Sequence, residues 1–246
     1  MNELRASIQD LGFCHIQNVF SSDELDRCDS IITTMMEKEG FIVDLLKSDM
    51  SGDCDVKRQQ MEILRPSLLS ASLRKSQVYK QCYLIAKEYF GGSAYYLFDH
   101  AIFKMPNSTT ITPWHQDQAY LGDDVIIPSL HFWIPFQDTD ANNGAMQFIK
   151  ASHHKLLKHR LAYQHNSHVL TAVDYSENNC VSMDIKRGDV SVHTNFTLHS
   201  ATANHSELPR KAWVIHFGEK PEIYKRVAKV KNGFIKNMNR FLRSSH

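Results

Sequence analysis

Residues 189–199, DVSVHTNFTLH, gather valine, threonine and phenylalanine into a short run that starts just after Gly188 and reads as strand. Four more runs of this kind flank it: 94–105 (AYYLFDHAIFKM), 129–139 (SLHFWIPFQDT), 145–150 (AMQFIK) and 211–219 (KAWVIHFGE), separated by Pro, Gly, Asn and Asp clusters. Many short strands with turn residues between them point to a barrel or sandwich. The strands do not alternate with helices, and no glycine-rich phosphate loop is present, which argues against a doubly wound nucleotide fold.

Upstream of Gly92 the pattern is helical. Ser21 and Glu24 make a capping box, and Leu25, Cys28, Ile31, Ile32, Met35 and Met36 follow at three- and four-residue intervals up to the stop signal Gly40. A second apolar-periodic stretch runs from Leu68 to Phe90 and ends at Gly91-Gly92. The polar segment 48–60, SDMSGDCDVKRQQ, reads as a flexible loop. The expected class is therefore mainly β with flanking helices (α+β), in one domain over 1–246. Within it, 1–92 is largely helical, 93–218 forms the β core and 219–246 is a basic segment. From 221 onward seven Lys or Arg face the single acid Glu222, and with Ile223, Val227, Val230 and Phe234 the reading is an amphipathic helix packed on the barrel.

Composition removes several function classes. Hydrophobic residues are 42% and charged residues 22% of the 246, which excludes a disordered or fibrous chain. A net charge of +1 provides no global field for nucleic acid or an anionic membrane, so neither partner is expected. The five cysteines are scattered and never form Cys-x-x-Cys, and the N-terminal MNELRASIQDLGFCHIQNVF has no basic stretch followed by a long apolar one. A cytoplasmic, reducing setting with no membrane span is the expectation. Fourteen histidines direct attention to metal chemistry.

Thr112-Pro-Trp-His115-Gln-Asp117 opens the β-rich half. In an extended chain residues i and i+2 share a face, so the imidazole and the carboxylate can converge on one ion. One more histidine from a distant strand would complete a two-His-one-carboxylate set suited to Fe(II). His199 is followed eleven residues later by Arg210, whose fork suits a bidentate grip on a carboxylate.

With these residues the chain resembles the phytanoyl-CoA dioxygenase-like Fe(II)/2-oxoglutarate oxygenases, whose pattern is His-x-Asp, a distal His and an Arg eleven residues beyond. Trp133, Asn143-Gly-Ala-Met146, Ser152-His153 and Asn204-x-Ser206 add to the resemblance, which covers roughly 12–218. It implies a double-stranded β-helix of the jelly-roll, cupin-like kind with N-terminal helices. It also implies Fe(II) on His115, Asp117 and His199, with 2-oxoglutarate and O2 as co-substrates. Arg210 would pair with the distal carboxylate of 2-oxoglutarate and Trp133 would line its pocket, while Gln116 and His153 would stand at the substrate. Asp117 favours hydroxylation, because related halogenases have a small residue there. Two positions depart from the pattern. Ala201 replaces the serine that helps the arginine, leaving Ser200 or Thr202 as substitutes, and Ala151 replaces the glycine of Gly-Ser-His. For the family's N-terminal polar contact to the oxo acid, Gln60 or Lys57 stands in.

Other histidines compete. His193 is an alternative distal ligand but has no arginine eleven residues on, His216 reads as a satisfied core residue, and His100 and His131 lie in strands with either face open. The function this implies is oxidation of a small-molecule C–H bond, the substrate being a free metabolite walled by segments 48–60 and 153–182. The alternatives are a non-catalytic metabolite-binding β-barrel that keeps the metal site, and a zinc hydrolase, for which no H-E-x-x-H base is evident.

Overall fold

The computed structural model describes residues 1–52, 58–92, 94–122, 125–164 and 168–219, so Cys54, Lys57 and the basic segment from 221 lie outside the described residues. The N-terminal part contains α1 (Asn2–Leu11), β1 (Phe13–Ile16), α2 (Ser22–Glu37), α3 (Phe41–Asp44), β2 (Lys47–Asp49), β3 (Gln60–Leu64), α4 (Pro66–Leu69), α5 (Ala71–Lys75) and α6 (Gln77–Tyr89). The β-rich part contains β4 (Ala94–Lys104), β5 (Thr112–His115), β6 (Ser129–Pro135), β7 (Met146–Ile149), β8 (His159–Leu161), β9 (Leu170–Ala172), β10 (Cys180–Met183), β11 (Val190–Thr194), β12 (His199–Ala201) and β13 (Arg210–Glu219).

Half of the expected capping box forms: Ser21 Oγ accepts from Glu24 N at 3.4 Å, which satisfies one of the free donors at the start of α2, while the Glu24 carboxylate accepts from Arg27 and from Gln77 N instead of returning to Ser21. That helix buries Leu25, Cys28 and Ile32 and ends at Glu37, before the expected Gly40. The stretch 68–90 differs more. It is broken into α4, α5 and α6, because the Ser70 and Ser76 hydroxyls accept from Leu73 N and Tyr79 N and start a new helix each time. Of segment 48–60, Ser48, Asp49 and Gln60 belong to β2 and β3, which pair antiparallel with Asp49 opposite Met61, and 53–57 lie outside the described residues.

Two antiparallel sheets make a double-stranded β-helix of the jelly-roll kind. The larger has the order β1-β11-β6-β13-β4-β3-β2 and the smaller β10-β7-β12-β5, with a separate β8-β9 ribbon. The run 189–199 supplies a strand to each, β11 to the larger sheet and β12 to the smaller, across the turn 195–198. Alternation sorts the larger sheet. Ile63, Ala101, Phe103, Phe132, Ile134, Trp213, Ile215 and Phe217 share one core with Leu25, Cys28 and Ile32 of α2 and Val78, Cys82 and Ala86 of α6. The opposite face meets the smaller sheet around Trp133, Phe148, Ala201, Ala212 and Val214, where Phe13 stacks on Phe148 at 4.6 Å. Cys14, Cys28, Cys82 and Cys180 are free thiols, and burial pushes Cys14 up to about 12 and Cys28 to about 11. No helix among the described residues is long and apolar enough to cross a membrane.

Candidate metal and oxo-acid site

β5 and β12 are neighbours in the smaller sheet, and their register sets His199 directly opposite His115, with ring centroids 4.2 Å apart. The chain stays extended through Gln116, so Asp117 returns to the same face as His115. Asp117 Oδ1 lies 3.4 Å from His115 Nε2 and Oδ2 lies 3.8 Å from His199 Nε2. His115 Nδ1 donates to the Pro113 carbonyl at 2.8 Å and His199 Nδ1 to the Thr197 carbonyl at 2.9 Å. Each bond fixes the proton on Nδ1 and leaves the Nε2 lone pair facing the carboxylate, the tautomer a metal requires. One ligand atom from each of the three lies within 4.8 Å of the others. Burial holds His199 well below the ordinary histidine range, so it is neutral. Asp117 is held well below the usual carboxylate range, because the imidazoles of His199 and His131 outweigh the opposing effect of burial. Two imidazoles with Nε2 turned inward and one carboxylate, all buried or half-buried, fit a divalent ion.

Behind the trio stand histidines whose roles sequence reading left open. His131 Nδ1 donates to Asp117 Oδ2 at 2.5 Å, while its Nε2 meets Ser129 Oγ at 2.9 Å. His193 lies 3.5 Å from Asp117 Oδ2 with both ring nitrogens buried and unbonded among the described residues, and burial brings it down to about 4. Asp117, His131 and His193 form a second group within 4.8 Å of one another, but His115 is not part of it, so this is a different set from the one in which His193 replaces His199 beside His115.

Arg210 starts β13 and is 2% exposed, yet its Nε and Nη1 have no hydrogen-bond partner among the described residues. Burial without a counter-ion pulls it down to about 10. Its guanidinium sits 5.5 Å over the Trp133 ring. Opposite it in register is Lys104, a fully buried lysine that donates to the carbonyls of Thr110, Ala201 and Thr202 at 3.2, 3.1 and 2.6 Å. Gly144 closes over the pair in a left-handed conformation (φ 92°), where a Cβ would stand 3.2 Å from Arg210 Nε and 3.4 Å from Lys104 Cδ. A buried guanidinium with two free donors fits a carboxylate ligand.

Several expected residues have other work. Gln60 is the register partner of Lys104, and its Oε1 accepts from Thr112 Oγ1 at 3.3 Å. Thr202 reaches Lys104 only by its carbonyl, since its hydroxyl donates to the Ala141 carbonyl, and Ser200 bonds Gln147. Neither hydroxyl takes the place left by Ala201. Gln116 is fully buried with its amide donating to the Lys155 and Phe196 carbonyls and its oxygen accepting from Leu157 N, so it braces two loops and does not face a substrate. His153 bonds the Gln9 carbonyl at 3.2 Å and packs against Gly12 at the end of α1. Lys104 was missed altogether. Parity puts it on one face of β4 with Phe98, His100 and Ile102, but parity alone does not tell that face from a solvent-facing one.

The family model for phytanoyl-CoA dioxygenase (PhyH) matches residues 8–212. The chain belongs to the phytanoyl-CoA dioxygenase family. Among curated relatives, phytanoyl-CoA dioxygenase domain-containing protein 1 of Mus musculus is 26% identical over 124 residues, covering 48% of this chain and 43% of the relative. Phytanoyl-CoA dioxygenase 1 of Oryza sativa subsp. japonica is 30% identical over 120 residues, covering 47% and 41%. The matches thus span less than half the length of these relatives. Among solved structures, EvdO2 from Micromonospora carbonacea var. aurantiaca complexed with 2-oxoglutarate superimposes with a TM-score of 0.75 at 22% identity over 90% of this chain and 92% of that one. The non-heme alpha ketoglutarate dependent carbocyclase SnoK from nogalamycin biosynthesis gives 0.69 at 21% identity over 89% and 84%.

Proposed function

We propose that this PhyH-family chain is an Fe(II)- and 2-oxoglutarate-dependent oxygenase that oxidises a C–H bond of a small molecule. The observation that carries the proposal is the buried Arg210 guanidinium, with Nε and Nη1 unbonded among the described residues, on the face of the larger sheet that packs against the smaller sheet carrying His115 and His199. An enclosed metal set beside a cation that lacks a counter-ion is suited to a ligand with a chelating end and a distal carboxylate.

In this reading His115, Asp117 and His199 hold the iron. When bound, the iron and the oxo acid supply oxidation by O2, with one oxygen atom going to the C–H carbon and the other to succinate as CO2 leaves. The chain positions and shields. The Pro113 and Thr197 carbonyls hold both imidazoles in the ligating tautomer, and His131 fixes the rotation of the Asp117 carboxylate. Arg210 takes the distal carboxylate through Nε and Nη1 with Trp133 against its face, while Lys104 clamps the 201–202 backbone that follows His199. The packed layer of Phe148, Ala201, Ala212 and Val214 keeps water from this end.

Anaerobic titration of the apo-protein with Fe(II) and 2-oxoglutarate, followed by the metal-to-ligand charge-transfer band, tests the assignment. The wild type gives the band and His199→Ala loses it. Arg210→Ala requires at least about tenfold more 2-oxoglutarate, the loss of one buried charge-assisted contact. Absence of the band in the wild type would leave a barrel that binds a metabolite without this chemistry.

A further inference from the structure

The inner face of the larger sheet, which faces the smaller sheet carrying His115 and His199, forms a second polar surface. His131, already bonded to Asp117, stacks on His216 of β13 with centroids 3.6 Å apart and planes at 14°. His216 meets His100 of β4 edge-on at 5.3 Å, and His100 Nδ1 bonds Glu62 Oε1 of β3 at 2.6 Å. These four residues lie on four adjacent strands, β6, β13, β4 and β3, and begin at the ring bonded to Asp117. Phe98, 5.4 Å from the His100 ring and 5.5 Å from His216, adds an apolar face beside them.

This surface has two loose ends. Glu62, 5% exposed, has no hydrogen bond to Oε2, and His216 Nε2 is likewise buried and unbonded, both among the described residues. His168 Nε2 stands 3.5 Å from Glu62 Oε2, within ion-pair reach but without a hydrogen bond, so the oxygen still lacks a donor among the described residues. The same sheet saturates a carboxylate elsewhere. Asp99, on the other face of β4, accepts from Ser67 N, Ser67 Oγ, Tyr96 OH and Trp213 Nε1. Leaving Glu62 half-bonded costs stability, and a ligand that supplies the missing donor recovers it.

We infer that Glu62, His100 and His216 form the recognition wall for the molecule being oxidised, and that this wall takes a neutral ligand carrying hydroxyl groups. A hydroxyl donates to Glu62 Oε2 and either donates to or accepts from His216 Nε2, so one group type satisfies both ends. Charge selects against the other options. The 2.6 Å bond to Glu62 Oε1 holds the His100 ring against the carboxylate and raises it above the ordinary histidine range against the larger effect of burial. An ammonium would meet that basic ring as well as the carboxylate, and an anion would meet the carboxylate as well as the ring. That the ligand is the oxidised substrate rests on the oxygenase reading; that the wall binds hydroxyls does not.

The test uses glycerol, myo-inositol and methyl glucoside as neutral probes, with n-butylammonium and butyrate as charged ones. Binding is followed by saturation-transfer NMR on the full chain, and the Fe(II)–2-oxoglutarate band is recorded on the same samples. At least one neutral probe should bind wild type, with affinity falling tenfold or more in Glu62→Leu and in His216→Phe and less in Glu62→Gln, whose amide keeps an oxygen. The band should persist in all three variants, showing that they fold and keep the metal end. Failure of every neutral probe to bind, equal binding by Glu62→Leu, or tighter binding of n-butylammonium or butyrate overturns the inference. A wild type that lacks the band but binds a polyol through Glu62 overturns the oxygenase reading and leaves the wall standing. A wild type with the band and no polyol binding does the reverse.

Discussion

The outer face of the seven-stranded sheet presents Phe132, Ile134, Trp213, Ile215 and Phe217 to α2 and α6, and its carboxylate Asp99 accepts four hydrogen bonds. The inner face of the same strands presents His100, His131, His193, His216 and Arg210, and three of these five, His193, His216 and Arg210, carry a buried unbonded nitrogen, while Glu62 beside them carries a buried unbonded oxygen, all among the described residues. Backbone geometry is common to both faces, so the difference lies in the side chains. One layer has its hydrogen bonds closed and stores stability through apolar burial. The other holds donors and acceptors in reserve at a cost in stability, which is the usual economy of a binding surface.

The sharpest way to break this comparison is to cut into each face and ask whether stability and binding separate. Phe132→Ala on the outer face should cost about 3–5 kcal/mol of unfolding free energy in denaturant titration, with metal affinity per folded molecule unchanged. A parallel loss of metal affinity would show the two layers to be one energetic unit. His131→Ala on the inner face should weaken Fe(II) binding about 10–100-fold, as expected for loss of a partner that orients a ligand, with little change in denaturant midpoint. His131→Asn, which can still donate to Asp117, should recover part of that affinity. A large drop in midpoint with unchanged affinity would instead make His131 a packing residue. The smallest effect lies outside both faces. Ala151 is held at φ 57° and ψ 19°, a left-handed conformation costly for a residue with a Cβ, so Ala151→Gly should add about 0.5–1 kcal/mol.

That last position also marks how far sequence reading reached. The absence of the expected glycine at 151 left the turn's geometry open, and the turn forms regardless, with Ala151 N bonded to the Leu11 carbonyl. His115, Asp117, His199 and Arg210 were legible because a period of two and a gap of eleven residues are visible in one dimension. The strands were legible because their outward positions are apolar. Gln116 was misassigned against the same rule, since the residue between two inward side chains of an extended segment points the other way. His153 sits in a short helical turn that carries its ring to α1, and adjacency to Ser152 gives no hint of this. Lys104, His131 and Glu62 were illegible for a different reason. A polar residue at an inward position alternates with apolar neighbours as a solvent-facing one does, and only the second sheet distinguishes them. The basic segment 221–246 and its expected helix lie outside the described residues.

β13 carries Arg210 at one end and His216 six residues along, both on the inner face, and it is hydrogen-bonded to β4 on one side and β6 on the other. At a rise of about 3.3 Å per residue the two side chains are anchored about 20 Å apart. On the proposed assignment this strand is a ruler: one end marks where the oxo acid stops, the other where the second molecule is gripped, and the distance between the marks decides which of that molecule's carbons comes within reach. Selectivity for position on a substrate would then be written in the length of a strand, and a homologue with a longer or shorter β13 would oxidise the same compound at a different atom.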